Sequence, residues 1–314
     1  MESRKARGIG LAAGVGRGIR LTLSAPALMK DLQPLLYFLP TLALLLVVFL
    51  YPIYYATSVS LYETKFFKPV RYVGLENYAR VLTDANLWPS IRNSIVFGLG
   101  SLAGSIPIGL GLALLLNRIR VLKGPLRTLI LMPWVMSQAV VGLLMVWFLN
   151  PSYGPVARVV ELLGFPKLVL FSNPSWAMPA LIAINVWWSS PLAMVLILGA
   201  LQTVPRALYE SVVVDGGSSW VCFRHVTLPF IRNTIASTVI MLALLYFNMV
   251  TLILVTTGGG PIGSTETFSL RIFLDLFSRF RLSDAAAQAV LLLLLNVGLT
   301  VAFIRLFRRR EQIL

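Results

Sequence analysis

The sequence predicts an all-α membrane protein with six crossings of the bilayer, and three observations carry that prediction. Only 12% of the 314 residues are charged while 57% are hydrophobic, against about a quarter charged in a soluble domain. Uncharged stretches are long: not one charged residue falls between Leu168 and Pro205, or between Asn233 and Thr265. Basic residues gather in alternate connecting segments. Crossing a bilayer takes roughly 20 helical residues. In lipid only helices or closed barrels satisfy their own backbone, and runs this continuous mean helices.

Taken in order, the spans fall near 35–58, 93–117, 128–150, 177–200, 234–257 and 285–305. The first contains Pro40 and Pro52, tolerable where neighbouring helices re-satisfy the freed carbonyls. Between it and the second, 72–94 reads as an amphipathic segment at the outer interface. Its apolar side is Tyr72, Leu75, Tyr78, Leu82 and Leu87, and Trp88 is its aromatic anchor. The second span carries Gly100 and Gly104, a small-xxx-small pair that lets another helix approach closely. Gly98, Gly100 and Gly104 do not make a nucleotide fingerprint, since their spacing is wrong and no βαβ unit surrounds them. The fifth span ends at "GGGP" (258–261), a loop marker with no Gly-Lys-Ser/Thr after it. No Walker sequence occurs, so the chain does not bind ATP itself.

A net charge of +15 raises the question of nucleic acid. Placement answers it. With the N-terminus in the cytoplasm, 17 of the 27 basic residues fall in the inner segments, among them Arg118, Arg120, Lys123, Arg127, Arg206, Arg224 and Arg232. The outer segments hold the other ten beside seven of the twelve acids. This is the positive-inside rule, with the cations setting topology and touching anionic headgroups. Residues 1–31 are expected to be a basic, flexible cytoplasmic tail ahead of a membrane domain over 32–314. They lack the compact apolar core and small-residue cleavage site of a signal peptide. Cys222, the single cysteine, falls on the inner side and is expected to be a free thiol.

One segment departs from its greasy surroundings. Residues 203–232 include "YESVVVDGGSSWVCFRHVTLP" (209–229), far longer than a connector of two to eight residues needs. Pro205 suits the start of a short helix that puts Tyr209, Val212 and Val213 on one face. Gly216-Gly217 breaks it, and Ser218 and Ser219 cap a second short helix bearing Trp220, Phe223 and Val226. Leu228-Pro229 is expected to end that helix before the fifth span, and Asp215 to cap the turn by bonding amides near Ser218. The product is a helical knob on the inner face whose Tyr209, Val212, Trp220 and Phe223 project and need a covering partner.

Glu210-Ser211-Val212, Asp215-Gly216, Phe223 and Leu228-Pro229 resemble the "EAA" loop of permease subunits of ABC importers. The match departs at Ser211, Val212 and Gly217, where alanine is usual. "YVGLENYARVL" (72–82), "LMPWV" (131–135), "LYESVVVDGG" (208–217) and "TTGGGP" (256–261) followed by "STETFSL" are similar, in order and spacing, to the carbohydrate-type branch of that family. The likeness covers about 33–310. It implies the six-helix type I importer fold, with the knob as coupling helix. Tyr209, Glu210, Ser211, Val212, Asp215, Gly216, Gly217 and Phe223 would then contact an ATPase subunit. It also implies a second, different permease, two ATP-binding-cassette subunits that carry ATP and Mg, an extracytoplasmic solute-binding protein, and residence in a bacterial inner membrane with both termini cytoplasmic.

Polar and aromatic side chains within spans are functional candidates, because lipid does not accept them. The fourth span offers Asn185, Trp187, Trp188, Ser189 and Ser190, and the fifth Tyr246, Asn248 and Thr251. Sugar hydroxyls call for amide and hydroxyl partners, and a pyranose face stacks on an aromatic ring. Positions resembling the maltose-type site are Asn185, Trp188, Ser189 and Leu192, with Leu242, Leu245, Tyr246 and Met249. Gln138, Gln288 and Asn296 read as interhelical bonds. No charged residue lies in the six span cores, which argues against an ion-coupled carrier and favours a neutral solute. Arg71, Arg80 or Arg271 at the outer mouth would serve an anionic one such as glycerol 3-phosphate. The only histidine, His225, sits in the knob with no catalytic or metal set around it, and the chain is not expected to be an enzyme.

Overall fold

Helices dominate because the sequence leaves lipid-facing backbone no alternative, and what positions the site is where those helices touch and where they break. A computed structural model describes residues 37–308 except 66, 120, 165, 167 and 168. The tail expected over 1–31, the start of the first span and Arg120 lie outside them. The chain divides into two units, Met1–Ile53 and Tyr54–Leu314. In the first, the described residues from Tyr37 are helical, with a π turn at Leu46–Leu50, and exposed along their length. Tyr37–Ser60 (α1) is long and apolar enough to cross a membrane; its Val59 and Ser60, in the second unit, are buried.

The second unit is built on two long helices, α3 (Leu87–Arg118) and α7 (Pro174–Gln202). Helix α7 is apolar around its whole circumference, and 67% of its most apolar window is buried, as such a helix must be. Pro174 at its first turn and Asn173, whose side chain accepts from Ser175 N at 2.9 Å, start it. The expected small-residue stripe is found, and longer than expected. A Cβ on Gly100 would meet Ile182 at 2.7 Å, on Gly104 Val186 at 2.5 Å, and on Gly109 Ala193 Cβ at 2.5 Å. These pairings rise together along both chains, so α3 and α7 run parallel, as second and fourth crossings do.

Between them the chain returns through α4 (Lys123–Val135) and α5 (Gln138–Phe148), which meet at 92°. The single span expected over 128–150 is therefore a broken one. Met136 and Ser137 take extended conformations, and the freed Met136 carbonyl accepts the Trp188 indole N–H at 3.2 Å. A buried break survives in lipid only with such a partner. A short α6 (Pro155–Leu162) precedes α7, and α8 (Arg206–Val214) follows it.

Helix α9 (Ser219–Phe247) corrects two expectations. Leu228-Pro229 does not stop the knob's second helix; the helix runs on into the fifth span as one rod. A π turn at Phe223–Thr227 lies just before Pro229, and the wider turn makes room for a ring that would clash in a regular α-helix. At the far end α9 stops at Phe247, and α10 (Thr251–Thr256) completes the stretch expected to be continuous over 234–257. The Phe247 carbonyl accepts from Ser269 Oγ, and Asn248 Nδ2 donates to Leu244 O at 2.7 Å.

At that end the expected amphipathic segment 72–94 resolves into three pieces. A hairpin of β1 (Tyr62–Lys65) and β2 (Lys68–Tyr72) is followed by α2 (Glu76–Thr83) and the first turns of α3. The strands pair antiparallel, Tyr62 opposite Tyr72, so the all-α architecture carries one small sheet. Trp88 is exposed as an interface anchor should be, but Leu87 is a core residue packed with Val81, Phe268 and Ala287. Glycines 258, 259 and 263, all at positive φ, form the expected loop after α10. It leads into α11 (Phe268–Phe277) and α12 (Leu282–Arg308). An ion-pair cluster ties this end together. Arg271, its side chain only 4% exposed, reaches Asp84 at 2.5 Å, Glu266 at 3.2 Å and Asp275 at 3.8 Å. Asp275 also accepts from Arg279 at 2.9 Å and Gln288 at 2.7 Å. The Arg279–Asp275 hydrogen bond raises the Arg279 pKa above its ordinary value, against the partial burial that lowers it.

Two outcomes follow. Gly109→Ala forces a methyl against Ala193 Cβ and the Met194 and Ser190 backbone, whereas Gly111 on the same helix has nothing within 4 Å. Thermal unfolding in detergent should show Gly109→Ala destabilised by about 1–3 kcal/mol and Gly111→Ala unchanged or slightly stabilised. Arg271→Met leaves Asp84 with no cation and Asp275 and Glu266 with Arg279 alone, and should cost about 3–5 kcal/mol; adding Asp84→Asn should recover part of the loss, which a double-mutant cycle measures.

Candidate functional site

Helices α3, α7 and α9 meet around Tyr246. Its hydroxyl lies 2.8 Å from Ser105 Oγ and 2.6 Å from Ser189 Oγ. Ser105 in turn donates to Ser101 O and Ser189 to Asn185 O, each at 2.6 Å. Four short contacts thus share three hydroxyl protons, so one contact always lacks a hydrogen and one oxygen keeps acceptor capacity. Beside this chain the Asn185 amide is fully buried, and neither its Nδ2 nor its Oδ1 has a hydrogen-bond partner among the described residues. Ser101 Oγ is likewise unpartnered. An unsatisfied buried amide costs about 1–3 kcal/mol, and this chain offers nothing to offset it.

Around the polar line lies an apolar shell. Trp188, Leu242, Tyr246 and Met249 are buried in one cluster, with Leu192 and Leu245 half-buried at its edge. Trp188 packs against Trp134 with centroids 4.5 Å apart and planes tilted by 40°, and its N–H is already taken by the Met136 carbonyl. Of the sequence candidates, Asn185, Trp188, Ser189, Leu192, Leu242, Leu245, Tyr246 and Met249 come together here. Asn248 does not: it is exposed near the end of α9 and accepts from Asn296 Nδ2 at 3.1 Å. Sequence reasoning missed Ser101, Ser105 and Trp134. A signal existed for the serines, since Ser90, Ser94, Ser101 and Ser105 are all buried on α3. Spacings of four place each pair on one helix face.

The knob is built from its caps. Helix α8 ends in a Schellman motif: Gly217 N–H donates to Val212 O at 2.8 Å and Gly216 N–H to Val213 O at 3.0 Å, with Gly216 at φ +76°. A Cβ on Gly217 would lie 2.8 Å from Val212 O, which accounts for glycine where the resembling family has alanine. Ser218, as expected, caps α9, accepting from Val221 N at 3.4 Å. Asp215 does not cap the turn: its carboxylate makes no hydrogen bond among the described residues and is exposed, as is that of Glu210. Tyr209 and Val212 do not project either. They turn inward and are half-buried, the Tyr209 hydroxyl bonding Thr227 Oγ1 at 3.1 Å. Phe223, also half-buried, stacks under Trp220 at 5.5 Å. The side chains that project are Val213, Val214 (86% exposed) and Trp220. Ser211 Oγ returns to Leu208 O at 3.1 Å, His225 bonds within its own helix, and Cys222 is a free, half-buried thiol.

At the opposite end Arg71 pairs with Glu63, Arg80 with Asp284, and Arg271 with three carboxylates. Each arginine proposed for an anionic solute is already committed to acids of this chain.

Comparison with known proteins agrees with this geometry. Residues 105–312 match the model of the family described as binding-protein-dependent transport system inner membrane component. The chain is 31% identical over 274 residues to the sulfoquinovosyl glycerol transport system permease protein SmoG of Agrobacterium fabrum, covering 87% of this chain and 89% of that one. It is 30% identical to the trehalose/maltose transport system permease protein MalF of Thermococcus litoralis, with 88% and 94% covered. It is also 30% identical to the sn-glycerol-3-phosphate transport system permease protein UgpA of Yersinia enterocolitica, with 93% and 99% covered. A permease fold is shared with the bacterial alginate ABC transporter solved with an alginate pentasaccharide-bound periplasmic protein: TM-score 0.80 at 23% identity, over 90% of this chain and 97% of that one. A stand-alone carrier finds no support among these relatives. The type I fold, the broken spans and the matched sequence together make this chain a member of the binding-protein-dependent transport system inner membrane component family, the permeases of ABC importers.

Proposed function

We propose that the chain is the translocation subunit through which an ABC importer moves a sugar, oligosaccharide or polyol. The observation that carries this reading is the continuity of α9. One helix of 29 residues runs from the knob at Ser219 past Tyr246 in the polar cluster, a rod of about 43 Å at helical rise. A force applied to the knob is delivered to the hydroxyl line without an intervening joint. The Tyr209–Thr227 bond holds α8 to the base of that rod.

The bare apolar tip, Val213, Val214 and Trp220, calls for an ATPase subunit with a matching cleft, and Glu210 and Asp215 supply charge at its rim. ATP and Mg belong to two such subunits, since no sequence in this chain holds a nucleotide. The knob end faces the cytoplasm, because the basic segments lie there. A second, different permease completes the pathway, and an extracytoplasmic binding protein delivers solute at the end where Arg271 sits. Alternating access then tilts α9 and α7 against one another around Asn185, Ser189 and Tyr246. Hydroxyl and amide groups without charges suit a neutral polyhydroxy solute, with Trp188 as a stacking surface. Arg271, buried among three carboxylates, is withdrawn from an anionic solute, which favours a neutral one; Arg71 and Arg80 make only exposed surface pairs.

Two measurements test this. Val213→Asp with Val214→Asp should abolish co-purification of the ATPase subunits and solute uptake, while the melting temperature of the isolated chain stays put. Uptake unaffected by both charges would end the coupling role. Asn185→Leu removes the unpartnered amide, so the variant should be as stable as the parent or more so, yet its uptake should fall at least about tenfold if the amide contributes one sugar hydrogen bond of 1.4 kcal/mol or more. Retained uptake would remove Asn185 from the solute path.

A further inference from the structure

At the knob end two cavities adjoin. One, of about 840 Å³, is lined by Arg118, Lys123, Arg206 and Glu210 among others. The second, of about 630 Å³, is chiefly apolar, with Leu114, Leu201, Trp220 and Phe223 on its wall. They share Asn117, Arg118, Leu201 and Tyr209. The three cations come from separate elements: the last turn of α3, the first residue of α4 and the first of α8. None forms an ion pair among the described residues; at the other end Arg71, Arg80, Arg271 and Arg279 are paired, while Lys65, Lys68, Arg92 and Arg281 are not. With Glu210 counted, the first cavity carries a formal charge of +2 from three cations and one acid.

Three cations lining one cavity with a single acid leave an excess of positive charge that an anion seated there would complement. The depth is that of a headgroup, for both parallel spans end there, α3 at Arg118 and α7 at Gln202. The apolar compartment continues from the basic one across Arg118 and Tyr209. A water-soluble phosphate would use only the first compartment; an amphiphile uses both. We propose that the pair of cavities binds one anionic phospholipid. Its phosphate lies among Arg118, Lys123 and Arg206, and its glycerol and upper acyl carbons lie against Leu201, Leu114 and Phe223.

The site has a consequence for the knob. Tyr209 borders both compartments and carries the hydrogen bond to Thr227 that joins α8 to α9, so the occupant contacts the joint itself. Lipid binding stands apart from the transport reading; only its effect on coupling rests on the role proposed for α8.

The test uses the full-length chain, delipidated in detergent and titrated with phosphatidylglycerol or phosphatidylcholine, with bound lipid counted by native mass spectrometry. Phosphatidylglycerol should be preferred, and Arg118→Gln, Lys123→Gln and Arg206→Gln should each weaken its retention about fivefold, as one lost cation does at a membrane surface. Arg71→Gln, in the hairpin at the other end, should change nothing. Glu210→Gln should tighten retention, a gain that misfolding cannot mimic. Retention that is indifferent to these charges overturns the proposal. So does inorganic phosphate that displaces the lipid or stabilises the chain equally well, which would make the ligand a soluble anion. Loss of ATPase co-purification in the cation variants with lipid retention intact would assign the cations to a protein partner and overturn it likewise.

Discussion

Everything in this fold depends on the rule that a peptide group in lipid must be satisfied by the protein. Straight helices obey it automatically; breaks obey it only with help. The bend between α4 and α5 is possible because the Trp188 indole takes the Met136 carbonyl, and the end of α9 because Ser269 takes the Phe247 carbonyl. Ser105 and Ser189 likewise spend their protons on carbonyls one turn back. Nearly every polar side chain around the α3–α7–α9 junction is thus occupied with backbone upkeep. Asn185 and Ser101 stand out against that background, because neither side chain has a hydrogen-bond partner among the described residues.

Much of this was legible in the sequence, for physical reasons that also mark where legibility stops. Span number follows from hydropathy, since a membrane imposes its length on every crossing. The α3–α7 contact was announced by Gly100 and Gly104, where a side chain would collide. Gly216-Gly217 and Ser218 specified the knob's turn because left-handed and capping positions admit few residue types. The bends were not legible. Ser137 and Gln138 after Met136 are the only polar residues in an otherwise apolar run, too weak a signal to mark a break, and the indole that makes the break tolerable lies 52 residues away. Pro229 reads as a stop, yet a π turn absorbs it. Arg271 looked available as a solute cation although Glu266 and Asp275 lie within five residues of it; what was hidden is its burial and its tightest partner, Asp84, 187 positions distant. Which face of α8 points outward was misjudged for the same reason: Tyr209 is drawn inward by Thr227, a residue of the next helix.

The two ends of the molecule manage charge in opposite ways, and this bears on how it moves. At the Arg271 end, buried pairs join Arg271 to Asp84, Glu266 and Asp275, while α12 is held by Gln288 and the half-exposed Arg80–Asp284 pair and α3 by Asn93 and Ser94. Removing Arg271 leaves buried acid short of a partner at a cost of several kcal/mol. Helix α9 is not part of that network. It meets that end through neutral hydrogen bonds, Ser269 to Phe247 O and Asn296 to Asn248, each worth about 0.5–1.5 kcal/mol net, and through apolar packing of Leu242 and Tyr246 with Leu270 and Phe97, with no ion pair among the described residues. At the knob end Arg118, Lys123 and Arg206 form no ion pair among the described residues, and Val213, Val214 and Trp220 at the tip are bare. Under the role proposed for the knob, force entering there would reach the neutral bonds at the top of α9 and the hydroxyl line at Tyr246, where one proton too few already leaves the arrangement degenerate, before the buried Arg271 cluster. The proposed displacement would then be taken up at Tyr246, beside the unpartnered Asn185.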